Sequence, residues 1–229
     1  MSPQITPARR LRAAAIPAAV TGALLVPAAV APAAVAQTDA QTAAPTARSA
    51  QISLGARTLH VLRGDRARVT GTLYPRAAGR RVTAQIRRAG TWRSVVSDHT
   101  DARGRFTLVW RTSRLGSTAL RLRFAGDRTA AQTARSAGRL TVYRTAYASW
   151  YALYGNPLAC GGRASYSKLG VAHKTLPCGT KVTIRYRGRS VTVPVVDRGP
   201  YSGGRDYDLT GATARRLGFN GVGRIWATR

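Results

Sequence analysis

The chain has 229 residues and a formal net charge of +29, with only eight acidic residues. All eight are aspartates, which excludes any scheme that needs a glutamate. The only cysteines, Cys160 and Cys178, can pair in only one way.

The N-terminus reads as an export signal over residues 1–36. Arg9, Arg10 and Arg12 precede an apolar run from Ala13 to Val35, and Ala34-Val35-Ala36 fits the small-residue cleavage pattern. Pro17, Pro27 and Pro32 argue against a permanent membrane span, and no later apolar stretch approaches spanning length. The mature protein is therefore expected to be secreted, extracellular or cell-wall associated. Residues 37–50 are polar and alanine-rich without patterning, as a linker would be.

From residue 51 to 144 the chain shows short alternating runs. Val69, Gly71 and Leu73 share one face, as do Val82, Ala84 and Ile86, then Phe106, Leu108 and Trp110, then Leu120, Leu122 and Phe124. Arg68, Arg81, Arg87, Arg121 and Arg123 occupy the alternate positions, as on a sheet wet on one face. Turn signals at 63–65, 89–90, 102–104 and 125–127 complete the pattern of a small antiparallel β-sandwich, similar to bacterial immunoglobulin-like modules. His60 and His99 have no partners that complete a site, and Trp92 and Trp110 suit the core or rim. This part reads as a spacer or adhesive arm.

Residues 145–229 form a second region. Strands are expected at Lys181–Tyr186, Ser190–Val196 and Gly223–Thr228, and a short helix at Thr210–Leu217, capped by Thr210 and ended by Gly218. Gly188 falls where a hairpin turn belongs. Export permits a disulfide between Cys160 and Cys178. Two cysteines and one nearby histidine do not fill a tetrahedral metal site, so neither metal nor cofactor is expected. The arginines are spread along the chain without a nucleic-acid-binding signature. They suggest a solvated basic surface and attraction to anionic wall polymers rather than a specific nucleic acid. A monomer is expected.

Carboxylate chemistry in this region has three candidates: Asp197, Asp206 and Asp208. Four motifs frame them. They are Ala148-Ser149-Trp150-Tyr151 with Tyr154-Gly155, Val171-Ala172-His173-Lys174-Thr175-Leu176-Pro177, Asp197-Arg198-Gly199-Pro200-Tyr201, and Asp208-Leu209-Thr210 followed by Ala212, Ala214 and Leu217-Gly218. In order and spacing they resemble the RlpA-like (rare lipoprotein A) family, a double-psi β-barrel related to expansins and barwin. The resemblance implies an all-β chain, with a six-stranded double-psi barrel and a short helix following the sandwich. It also implies engagement of peptidoglycan glycan strands and their cleavage as a lytic transglycosylase, the sugar's own 6-hydroxyl acting as nucleophile.

One carboxyl group then suffices as acid and later as base. Asp208 takes that role by resemblance, with Asp197 and His173 supporting. A structural role stays open for each of the two supporting residues, and for Asp208 itself that of a charge partner at the helix N-terminus. Tyr151, Trp150, Tyr201 and Arg198 are the candidate substrate-binding residues, with core packing the alternative for the aromatic ones. Asp206 is expected in an exposed loop. The chain departs from the family where a TANGE-type acidic segment is replaced by Gly161-Gly162-Arg163-Ala164-Ser165-Tyr166. Residues 146–229 also carry ten arginines and three lysines against three aspartates, a field that opposes a protonated acid. Two further readings therefore stand beside catalysis: an expansin-like module that binds and loosens wall polysaccharide, and a secreted protease inhibitor.

Overall fold

The structure is a computed structural model, and it describes residues 47–229. The expected signal segment and the linker up to residue 46 lie outside the described residues. No helix among the described residues is long and apolar enough to cross a membrane.

Eight strands come first: β1 (Gln51–Thr58), β2 (His60–Leu62), β3 (Arg66–Tyr74), β4 (Arg81–Arg88), β5 (Thr91–His99), β6 (Arg105–Arg111), β7 (Gly116–Phe124) and β8 (Thr133–Tyr151). Strands β1, β3 and β6 form one sheet; β5, β4, β7 and β8 follow one another in a second, with β2 parallel to β8. The apolar positions picked out by two-residue alternation close a shared core. Val69, Leu73, Val82, Ala84, Leu108, Leu120 and Leu122 are all fully buried. Arg68, Arg81, Arg87 and Arg123 are exposed on the opposite faces. His60 is exposed, and its Nδ1 lies 2.8 Å from the Tyr143 hydroxyl.

Strand β8 runs 19 residues without interruption. Its first half pairs with β7 as far as Val142, and its second half pairs with the C-terminal strands from Arg144 onward. The change of composition near residue 145 thus falls inside a single strand, and no linker intervenes. Tyr143 marks the crossing: it is fully buried, and its ring centroid stands 5.8 Å from that of Trp226.

The remaining elements are β9 (Val171–Ala172), β10 (Lys181–Tyr186), β11 (Arg189–Asp197), β12 (Tyr207–Thr210), α1 (Gly211–Leu217) and β13 (Gly223–Ala227). Strand order is β12-β9-β11-β10-β13-β8, and β8 pairs back to β12, so six strands close into a barrel. Val171, Val182, Ile184, Val193, Val195, Tyr207, Leu209 and Ile225 fill its interior. The β10–β11 hairpin turns through Arg187 and Gly188, both at positive φ (45° and 84°), the conformation that a two-residue hairpin favours. Thr210 caps α1 by accepting from the Thr213 N–H, and Gly218 ends it at φ 68°.

Cys160 and Cys178 are joined. The bridge ties the long loop between β8 and β9 to the turn before β10. Because it closes a loop spanning a sequence separation of 18, replacing both cysteines by serine should lower unfolding stability by about 3 kcal/mol. Denaturant unfolding under oxidising conditions measures this; equal midpoints for the two proteins would contradict it.

Candidate functional site

The barrel register brings the motif residues onto one rung. Asp197 of β11 is paired with Ala172 of β9, Ala172 with Asp208 of β12, and Asp208 with Ser149 of β8. Register partners project to the same face of a sheet. Since Val171, Tyr207 and Leu209 point into the core, this rung lies on the outer face of the barrel. Strands spaced about 4.8 Å apart put the two aspartate Cα atoms about 10 Å apart. Between them Ala172 contributes only a methyl group. The register thus sets the two acids on one rung with Ala172 between them.

Their environments differ. Ser149 Oγ donates to Asp208 Oδ1 at 2.7 Å. Burial pushes the Asp208 carboxyl above its ordinary value. The Ser149 bond and the Arg205 charge pull it back, and the charge of Asp197 adds to the rise. Asp197 Oδ1 instead accepts two backbone N–H bonds, from Ala159 and Arg198, each 2.9 Å.

Tyr151 stands two residues beyond Ser149 on the same face of β8. The loop between β8 and β9 folds over it: Leu158 and Ala164 of the loop, with Val196 of β11, form a small cluster against its ring. Its hydroxyl is buried and has no hydrogen-bond partner among the described residues. Burial, then the charges of Asp197 and Asp208, drive the phenol far above its usual range, so it is held neutral beside both acids.

The other candidates lie apart from this rung. His173 Nδ1 accepts the backbone N–H groups of Thr175 and Leu176, both at 3.1 Å, and its ring packs 5.0 Å from Tyr207. Burial first, then Arg144, lowers its pKa, so the neutral ring organises the turn and bonds neither Asp197 nor Asp208. Arg198 spends its guanidinium on the Leu176 carbonyl at 3.0 Å and on Cys178 Sγ. Alternation along β8 sends Trp150 to the face away from Ser149, where it is 41% exposed rather than in the core. Tyr201 is 79% exposed beyond Asp197. Asp206 lies in the loop before β12, accepts the Tyr147 N–H and pairs with Arg144 at 3.0 Å. The larger cavities, about 610 and 690 Å³, lie against the first eight strands, the second also reached by Arg229, and touch neither acid of the rung.

Ser149 was not singled out from sequence, although it sits within a quoted motif. The signal available was its spacing: positions 149 and 151 share one face of a strand.

Residues 143–226 match a family model described as lytic transglycolase, a double-psi β-barrel (DPBB) family. An 84-residue stretch is 45% identical to the probable endolytic peptidoglycan transglycosylase RlpA of Synechocystis, covering 34% of this chain and 26% of that protein. An 80-residue stretch is 41% identical to the endolytic peptidoglycan transglycosylase RlpA of Neisseria meningitidis, covering 33% and 34% respectively. The chain thus spans only about a quarter to a third of the length of these relatives. A solved structure, the Streptomyces papain inhibitor, is 27% identical, covering 38% of this chain and 94% of its own, with a TM-score of 0.31. The C-terminal region is an RlpA-like double-psi β-barrel.

A raised carboxyl pKa makes a stability signature. The folded state holds the Asp208 proton at pH values where the unfolded chain has released it, so the stability cost of Asp208 builds as pH rises from its unfolded to its folded pKa and is complete above the latter. Asp208→Asn should therefore gain stability relative to the parent as pH rises, with little difference below the unfolded pKa. Urea unfolding of both proteins from acid to neutral pH reads this directly. A variant that is less stable at neutral pH would show that Asp208 is stabilised as a carboxylate.

Proposed function

We propose that this chain is a secreted, wall-associated protein of two domains. An immunoglobulin-like sandwich over residues 51–144 would carry a barrel, residues 145–229, that binds peptidoglycan glycan strands and cleaves them as a lytic transglycosylase. The strand order β1-β3-β6 against β5-β4-β7-β8 supports the sandwich reading. The barrel's relatives, named as endolytic peptidoglycan transglycosylases, support the substrate.

One observation carries the chemistry: Asp208, half-buried and pushed toward its protonated form, shares a rung with Asp197, whose Oδ1 accepts two backbone N–H bonds. Protonated Asp208 gives its proton to the glycosidic oxygen as the bond to the anomeric carbon breaks. Asp197 offers its negative charge to the oxocarbenium-like centre. The 6-hydroxyl of the same sugar then attacks that carbon, and the Asp208 carboxylate takes the hydroxyl proton, so no water is consumed and a 1,6-anhydro end forms. Ser149 holds one Asp208 oxygen, leaving the other for the proton transfer. The neutral Tyr151 phenol beside them adds no charge to the rung.

A binding-only role has one observation in its favour, because the Arg205 charge works against a protonated Asp208. The two readings separate on product. Incubation with stem-peptide-free glycan should release anhydromuramyl ends detectable by mass spectrometry, and Asp208→Asn should reduce their rate by about 10²–10⁴-fold. Wall binding by the parent with no anhydro product would leave the binding-only role.

A further inference from the structure

We propose that Tyr154, Tyr166 and Arg215 form a lateral subsite that binds a neighbouring, carboxylate-bearing sugar of the strand whose scissile bond lies at Asp208. The subsite rests on the wall-glycan reading and extends it to residues outside the rung.

Two tyrosine rings are displayed on the loop between β8 and β9. Tyr166 is 67% exposed and Tyr154 44% exposed, with ring centroids 5.9 Å apart at 60°. A single arginine from the last turn of α1 holds both. The Arg215 guanidinium carbon lies 3.6 Å from the Tyr166 centroid, one nitrogen donates to the Tyr154 hydroxyl at 3.0 Å, and another donates to the Tyr166 carbonyl. With the cation stacked on it, the Tyr166 ring still remains largely exposed.

The loop is built rather than draped. Gly155 N–H donates to the Ala164 carbonyl and Ala164 N–H to the Asn156 carbonyl, each 2.9 Å. Arg163 donates to the Gly155 carbonyl at 2.6 Å. Rings fixed in advance lose little entropy on binding, which is what a sugar-stacking platform requires.

The platform adjoins the rung. A Cβ placed on Gly211 would come within 2.8 Å of the Tyr154 hydroxyl and 3.5 Å of the Tyr151 carbonyl. Gly211 follows Asp208 by three positions, so a pyranose resting on Tyr154 is next to the sugar held at the acids.

Charge selects among sugars. Arg215, Arg163 and Lys168 occur in none of the three ion pairs among the described residues. The barrel's acids are elsewhere: Asp206 is paired with Arg144, and Asp197 and Asp208 are on the rung. An aromatic pair backed by unneutralised cations fits a pyranose with an anionic substituent better than a neutral one. In peptidoglycan that sugar is the muramic residue with a free lactyl carboxylate.

The test uses the full chain carrying Asp208→Asn, so that ligands are bound without turnover, and two probes of equal length. One is a chitin oligosaccharide, the other a GlcNAc–MurNAc oligomer without peptide. The parent should bind the muramyl oligomer more tightly. Adding Tyr166→Ala should weaken both about three- to tenfold, and Tyr166→Phe should restore them. Adding Arg215→Gln should erase the preference for the muramyl probe, a factor of about two to five that also shrinks with salt. Parent binding that Tyr166→Ala leaves unchanged overturns the subsite alone. An Arg215→Gln variant that keeps the preference overturns its carboxylate selectivity. If the parent binds neither oligomer, the wall-glycan reading fails and the subsite with it.

Discussion

The functional face of this protein depends on how the barrel closes. Strand β12 pairs on one edge with β9 and on the other with β8. That double pairing sets Asp197, Ala172, Asp208 and Ser149 side by side on one rung. Tyr207 and Leu209, both fully buried, lock the register from within. A slip of one residue would turn Asp208 into the core and Leu209 out to solvent, exchanging a buried aliphatic side chain for an unpaired buried carboxylate. Sequence alternation of period two thus does the positioning, and the chemistry follows from which strands become neighbours.

The second constraint is electrostatic. A net charge of +29 favours ionised carboxylates everywhere, and Arg205 does so locally at Asp208. Burial is nevertheless the largest influence on Asp208, and its direction prevails. The loop between β8 and β9 contributes to this environment. It packs Leu158 and Ala164 against Tyr151, donates the Ala159 N–H to Asp197, and is anchored one residue later by the disulfide at Cys160. The same loop displays Tyr154 and Tyr166, so a single covalent tether supports both the acid pair and the aromatic platform.

Much of this was legible in the sequence. Alternation gave the buried faces of the sandwich strands, cap residues gave both ends of α1, and motif order gave the six-stranded barrel. Three features were not legible because they depend on contacts between distant segments. The single strand through residues 133–151 carries no local mark at its crossing, since Tyr143 and Arg144 suit either half. The role of His173 is set by two backbone donors in the turn it begins, which spacing cannot reveal. Ser149 and Arg215 gain their meaning only from Asp208 and Tyr166, which are 59 and 49 positions away in the chain.

The proton affinity of Asp208 tests the account most directly. Carboxyl-selective NMR titration of the folded protein should show Asp208 ionising at higher pH than Asp101, Asp127 and Asp206, whose pKa values are all lowered. Replacing Asp197 by Asn should move the Asp208 transition to lower pH, because one neighbouring negative charge has gone. An Asp208 that titrates with the other aspartates and ignores the loss of Asp197 would contradict the paired-acid rung.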